Sequence, residues 1–320
     1  MSLLERILSE PELTAAPPVL VDVGAAGGMH RAWRKLAPHA IGIGFEPDTR
    51  EAPEPGPAQR QFGRWIFCAG LAVPAAVEDG RQDLFLTKSP QCSSMRRPKA
   101  EALAAWAFAD FFAVTEVRSV SAVTIPEALA AHGIERIDWL KCDTQGLDLP
   151  LYLSLPEAWR RRMLAAEFEP GLVNAYEGED RLPAVLEAMT AEPFWLAELR
   201  VGHAARGRAE MLARRLGERA VPWVRRLGPP APAWANVRYL RDFSDGPNGL
   251  GRREWLLGWA IATVTGQHAE ALAIAEAGAP RWGGELFQDM AAASARSLRW
   301  AMFRALPGEV WRRFTGGGVR

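Results

Sequence analysis

The run Val19-Leu-Val-Asp-Val23 constrains this chain more than any other segment, because it passes directly into Gly24-Ala-Ala-Gly-Gly28. Four aliphatic residues around a single Asp describe a strand buried on both faces, as in a parallel sheet. Glycines immediately after such a strand let the backbone turn sharply and approach a ligand without a Cβ in the way. Residues 29–36 have helical character and stop before Pro38, and Ala40-Ile-Gly-Ile-Gly-Phe45 supplies a second apolar strand. A β-loop-α-β unit complete within about 30 residues is the half-unit of a mononucleotide-binding α/β fold.

The alternation continues. Strands are expected over residues 65–71, 82–86, 120–123, 137–143 and 163–169, and helices over 126–132, 147–155 and 182–189. The run Glu51-Ala-Pro-Glu-Pro-Gly-Pro57 can extend neither a helix nor an inner strand and reads as a surface connection. Residues 87–97 read as a loop around Ser93-Ser94, and residues 103–112 as a helix or a lid over the site. Residues 194–201 and 237–241, on either side of an Arg-rich helix over 206–226, form an antiparallel edge pair. The expected architecture is therefore Rossmann-like α/β over residues 1–245, a mostly parallel seven-stranded sheet with an antiparallel edge strand. A C-terminal helical extension follows over residues 246–320, where Ala, Trp and Arg recur with helical period.

Charge and cysteine usage narrow the function classes. Lys and Arg number 38 and so do Asp and Glu, so no global field draws in nucleic acid. Cys68, Cys92 and Cys142 lack C-x-x-C spacing and read as reduced thiols, which with the absence of a secretory start predicts a cytoplasmic protein. The longest apolar stretch, residues 255–265, is about half of what a spanning helix needs. The five histidines, His30, His39, His132, His203 and His268, show no zinc-ligand spacing.

Three segments carry the chemistry. After Gly24 the turn runs Ala25-Ala26-Gly27-Gly28, which departs from the G-x-G-x-x-G of a nicotinamide site while still aiming backbone at a cofactor. Glu46 follows strand two, 22 positions after Gly24, where a carboxylate can accept hydrogen bonds from both ribose hydroxyls of an adenosine; Asp48 reads as a turn-capping residue. Ile137-Asp-Trp-Leu-Lys-Cys-Asp143 ends in a loop of Thr144, Gln145 and Gly146 at the carboxyl edge, where open α/β sheets bind ligands.

Taken in order, Val21-Asp-Val-Gly-Ala-Ala-Gly27, Phe45-Glu-Pro47, Ser93-Ser94 and Ile137-Asp-Trp-Leu-Lys-Cys-Asp-Thr-Gln-Gly146 resemble the motifs of the FkbM family of methyltransferases, over roughly residues 15–245. The departures are Gln145, where the family commonly has Glu, and Leu147-Asp148, where it commonly has Ala-Glu. The resemblance implies a class I methyltransferase fold that binds S-adenosyl-L-methionine and methylates a hydroxyl of a sugar, glycoconjugate or other natural product. It also implies that Asp22, Gly24, Ala25 and Gly27 cradle the methionine part of the cofactor, that Glu46 holds the ribose, and that Ala69 and Gly70 lie beside the adenine. Asp143 would sit near the sulfonium and the acceptor, and Gln145 would bind the cofactor.

Methyl transfer from a sulfonium asks the protein to position a hydroxyl and accept its proton. Asp143 leads the candidates for the base, followed by Glu167 and Glu169 and then His30. Asp143, Glu167 and Glu169 could also gather round magnesium, although no spacing requires it, and no metal is expected. Two rival readings stand beside this one. One is an NAD-dependent oxidoreductase, which predicts a dinucleotide glycine pattern; the other is a degenerate methyltransferase-like scaffold, suggested by Gln145 and the long tail. The expected partner is a small-molecule or glycan acceptor. The 206–226 segment and the tail arginines Arg296, Arg299, Arg304, Arg312 and Arg313 leave room for peripheral membrane contact. Trp255, Trp259, Trp282, Trp300 and Trp311 read as packing residues for a helical layer or a homo-oligomer interface.

Overall fold

A computed structural model describes residues 1–25, 28–48, 50, 56, 59–244 and 249–314. The chain divides into two compact units, residues 18–242 and residues 1–17 together with 243–320. Residues 1–17 were expected in the sheet domain; they group with the C-terminal helices instead.

The larger unit is an α/β sheet. Its strands are β1 (Val19–Val23), β2 (Ile41–Phe45), β3 (Arg64–Cys68), β4 (Leu71–Val73), β5 (Arg81–Thr87), β6 (Val114–Thr124), β7 (Trp139–Cys142), β8 (Ala165–Phe168), β9 (Phe194–Ala205) and β10 (Pro230–Arg241). Seven of them form one sheet in the order β3-β2-β1-β7-β8-β10-β9. Parallel pairing runs from β3 through to β8, and β10 is antiparallel to both β8 and β9. The edge pair is thus present, but its reversed member, β10, is the inner strand and not the edge. The chain steps outward one way through β1, β2 and β3 and the other way through β7 and β8. That reversal opens a crevice between the carboxyl ends of β1 and β7.

One face of the sheet is apolar because alternate residues point to it: Val19, Val21 and Val23 of β1, Ile43 and Phe45 of β2, Leu140 and Cys142 of β7, and Ala166 and Phe168 of β8. Leu129, Leu151, Tyr152 and Val185, from the helices Ile125–Ala130, Asp148–Leu153 and Leu182–Met189, complete this core. Burying each aliphatic side chain there contributes about 1.5–3 kcal/mol.

Several local expectations change. Residues 29–36 form only a short 3-10 helix, Arg31–Lys35, because Pro38 follows closely and cannot extend an α-helix. Strand three stops at Cys68, and Leu71–Val73 joins a separate three-stranded sheet in the order β4-β6-β5. Eleven-residue β6 is exposed over its first half and packs apolar side chains only through Val120, Ala122 and Val123, so it carried too little pattern to be read beyond residues 120–123. The Arg-rich helix is two helices, Ala209–Leu216 and Val221–Leu227. Gly217 ends the first at φ +81°, and Pro222 sits in the first turn of the second.

In the helical unit, Leu3–Leu8 and Pro11–Ala15 accompany Arg252–Val264, His268–Trp282 and Glu285–Phe314. Arg252 ties them together through ion pairs to Glu10 at 2.8 Å and Glu12 at 2.5 Å, and Arg253 donates to the Ala16 carbonyl at 2.8 Å. Trp255 and Trp259 are buried, whereas Trp300 is exposed; the side chain of Trp311 lies outside the described residues. No helix among the described residues is long and apolar enough to cross a membrane.

Candidate functional site

The crevice predicted by the strand order holds a cavity of about 570 Å³, within the range of small-molecule sites. Gly24 leaves β1 at φ +88°, and a Cβ there would stand 2.2 Å from the Asp143 carbonyl oxygen. Only glycine lets the ends of β1 and β7 come this close. The Asp143 amide donates to the Val23 carbonyl and the Gly24 amide to the Phe45 carbonyl, each at 2.9 Å, so three strand ends are locked around the opening.

Glu46 follows β2, is buried, lines the cavity and accepts the Asp48 amide on one carboxylate oxygen at 2.8 Å. Asp48 does more than cap a turn. Its carboxylate takes the Arg50 guanidinium on both oxygens, and Arg50 reaches on to the Ser93 hydroxyl and the Thr87 carbonyl at 3.0 and 3.1 Å. That guanidinium holds the Asp48 carboxyl below its ordinary range, overcoming the opposing effect of burial. Neighbouring Ser94 donates to the Gln145 carbonyl at 2.9 Å, so Ser93-Ser94 ties the β2 loop to the β7 loop.

The β7 loop is strained and heavily braced. Gln145 adopts φ +58°, the only non-glycine in the left-handed region among the described residues, and Gly146 follows at +103°. Such strain persists only where surrounding contacts impose it. Here Gln145 donates to Asp143 at 2.9 Å, Tyr176 reaches its amide oxygen at 3.1 Å, and Arg96 donates to the Gly146 carbonyl at 3.1 Å. Asp148 pins the loop from below, accepting the Thr144 amide at 2.9 Å, the Thr144 hydroxyl at 2.6 Å and the Glu169 amide at 2.7 Å. Burial raises its carboxyl to about 6 against those three donors.

Beyond β8, Glu169 lines the same cavity. Burial first, then the Asp143 carboxylate and a hydrogen bond to it, push the Glu169 carboxyl up to about 9, although Asn236 donates to it at 3.0 Å. Glu169 therefore carries a proton at neutral pH and donates it in a hydrogen bond to Asp143. Glu179 is likewise raised by burial, and Cys92 is pushed up to about 11, which keeps it a thiol. Phe108, Phe111, Phe112, Tyr176 and Trp234 close the outer wall, with ring centroids 5.3 Å apart for Phe108 and Phe112 and 5.5 Å for Phe112 and Tyr176.

Of the residues expected at a cofactor, Gly24, Glu46 and Gln145 line this cavity together with Asp143. Asp22 does not: it is buried and paired with Lys141 at 2.8 Å. Ala25 is buried outside the lining, and Gly27 lies outside the described residues. Ala69 and Gly70 form the turn between β3 and β4 and leave the lining to Leu71 and Ala72.

Glu167 and His30 are also placed elsewhere. Asp22, Lys141, Glu167, Arg238 and Glu198 stand side by side in register across five strands, as a row of alternating charge. Arg238 bonds Glu167 at 2.9 Å and Glu198 at 2.8 Å, and His30 lies 3.5 Å from Glu167. Burial lowers the His30 imidazole, with Glu167 opposing, and neither residue lines the cavity. Asp143, Glu167 and Glu169 accordingly do not gather as a metal site. Tyr176 and the aromatic wall were not singled out from sequence beyond the lid expected over 103–112, and Asp148 stood out only as a departure from the family pattern. Their roles depend on which loops meet at the carboxyl edge.

Compared with known proteins, the chain matches no protein-family model, no curated protein and no solved structure.

Proposed function

We propose that the chain is an S-adenosylmethionine-dependent methyltransferase of the class I, FkbM-like type, acting on a hydroxyl of a sugar, glycoconjugate or other small natural product. The observation that carries this reading is the convergence of Gly24, Glu46 and the Asp143-Thr-Gln-Gly146 loop on one cavity at the reversal point of the sheet. These are three of the segments on which the family resemblance rests, and the third lies far along the chain from the first two.

The electrostatics favour a cationic cofactor over a dinucleotide. Among the described residues, Glu46, Asp143 and Glu179 line the cavity alongside a single lysine, Lys141, itself paired with Asp22, while Asp48 is paired with Arg50 and Glu169 is protonated. A pyrophosphate would meet these carboxylates, whereas a sulfonium and an amino group suit them. The Gly24 amide is already bonded to Phe45, and the turn leads into a five-residue 3-10 helix, which offers little of the helix dipole that holds a dinucleotide's phosphates.

When bound, S-adenosylmethionine would supply an electrophilic methyl carbon, with its neutral demethylated thioether as the leaving group. Glu46 would accept the ribose hydroxyls, and Gly24 would give the close backbone approach. The aromatic wall would stack against the acceptor and exclude water, while the Asp143–Glu169 pair, once Glu169 has lost its proton, would take the proton of the acceptor hydroxyl. Calorimetric titration tests the assignment. Binding of S-adenosylmethionine and its demethylated product, with none of NAD, is the expected result; binding of NAD alone would replace this reading with an oxidoreductase, and silence towards all three would leave a scaffold.

A further inference from the structure

The strands β9 and β10 pair over twelve residues each, yet β8 meets only Val237–Leu240 of β10. The rest of the ribbon runs past the sheet, and the helices Ala209–Leu216 and Val221–Leu227 form its tip. Two features of this insertion are unusual for a chain with no net charge. Residues 206–226 hold seven arginines against two glutamates, a surplus of five positive charges. Interleaved with them, Met211, Leu216, Trp223 and Leu227 are 43, 56, 62 and 72% exposed.

We infer that this insertion docks the protein on an anionic lipid surface. Arg214, Arg215, Arg219 and Arg226 are exposed and have no carboxylate partner among the described residues. Guanidinium groups beside an outward Trp and Leu match the boundary between lipid phosphates and acyl chains, where the cations meet the headgroups and the apolar side chains leave water. A phosphate backbone of nucleic acid would use the arginines but leave Met211, Leu216 and Leu227 in water. A second copy would bring like charge against like.

The insertion also sits beside the cavity. Ala107 donates to the Ala205 carbonyl at 2.9 Å and Gly207 to the Ala105 carbonyl at 2.8 Å, and the Arg206 guanidinium lies 5.1 Å from the centre of the Trp106 ring. These bonds tie the ribbon to the segment that carries Phe108, Phe111 and Phe112 into the cavity wall. Docking would hold that wall close to the lipid surface.

The test uses the full chain and vesicles of phosphatidylcholine, with or without phosphatidylglycerol, read by co-sedimentation. Binding to the mixed vesicles that weakens with salt, and little binding to phosphatidylcholine alone, is expected. The double variants Trp223→Ser/Leu227→Ser and Arg214→Ser/Arg215→Ser should each lower binding to mixed vesicles about tenfold or more, with Tm unchanged because all four side chains are exposed. The inference is overturned if the natural chain ignores anionic vesicles, binds both kinds equally, or is unaffected by both double variants. It is also overturned if the Trp223/Leu227 variant dissociates a dimer in vesicle-free buffer, which would give the patch to a second copy.

Discussion

Replacing Glu169 by Gln separates the electrostatics of the site from its shape. The carboxyl titrates near 4.5 in an unfolded chain and at about 9 in the folded one, raised first by burial and then by Asp143. A group raised on folding contributes stability that is complete below its unfolded value and is lost as pH climbs towards its folded value. Each pH unit in that window is worth about 1.4 kcal/mol, so from about pH 5 to about pH 8 the natural chain gives up as much as roughly 4 kcal/mol through this residue. Gln is nearly isosteric, has no proton to lose, and can donate its amide to Asp143 where the protonated Glu169 does. Urea unfolding followed by tryptophan fluorescence should therefore find the two proteins within about 1 kcal/mol near pH 5, and Glu169→Gln more stable by on the order of 2–4 kcal/mol near pH 8. Parallel stability profiles, or a variant less stable at the higher pH, would refute the proton on Glu169. If the pair is the base, methyl transfer by the natural enzyme rises with pH towards about 9, and the variant loses both turnover and that rise.

Three further substitutions probe separate parts of the argument. Gly24→Ala puts a Cβ 2.2 Å from the Asp143 carbonyl oxygen at φ +88°, and should cost about 2 kcal/mol or more with a matching fall in Tm; an unchanged Tm would mean the β1 and β7 ends separate freely. Glu46→Ala removes two charge-assisted hydrogen bonds to the ribose and should weaken S-adenosylmethionine about tenfold or more by calorimetry, whereas unchanged affinity would remove the ribose assignment. In the helical unit, Trp259 donates its indole N–H to the buried Ser294 hydroxyl at 3.0 Å, and Ser294→Ala should cost about 1–3 kcal/mol in chemical unfolding by leaving that donor unpaired. A loss near zero would mean the indole finds another acceptor.

Much of the sheet was legible in the chain because its signals are local. Apolar runs at β1, β2, β7 and β8, glycines that interrupt them and prolines that stop helices act within a few residues of themselves. The carboxyl-edge positions of Glu46 and Asp143 follow from the same local reading. The second sheet did not show, because β6 is exposed over its first half and its pairing with β4 and β5 is a matter of distant partners.

Alternation along a strand says that Asp22 and Val23, or Glu167 and Phe168, point to opposite faces, but not which neighbour each face will meet. The strand order set Asp22, Lys141, Glu167, Arg238 and Glu198 in one row and removed Asp22, Glu167 and His30 from the candidate site. It also brought Glu169 against Asp143, whose carboxylate helps burial to keep the Glu169 proton in place. The sequence by itself determined that a glycine turn, an acid after strand two and a polar loop after the fourth main strand exist at the sheet's carboxyl edge. Only the tertiary structure decided which charges neutralise one another across the strands and which face the cavity, since an ion pair depends on register between segments that are far apart along the chain, 119 residues for Asp22 and Lys141 and 71 for Glu167 and Arg238.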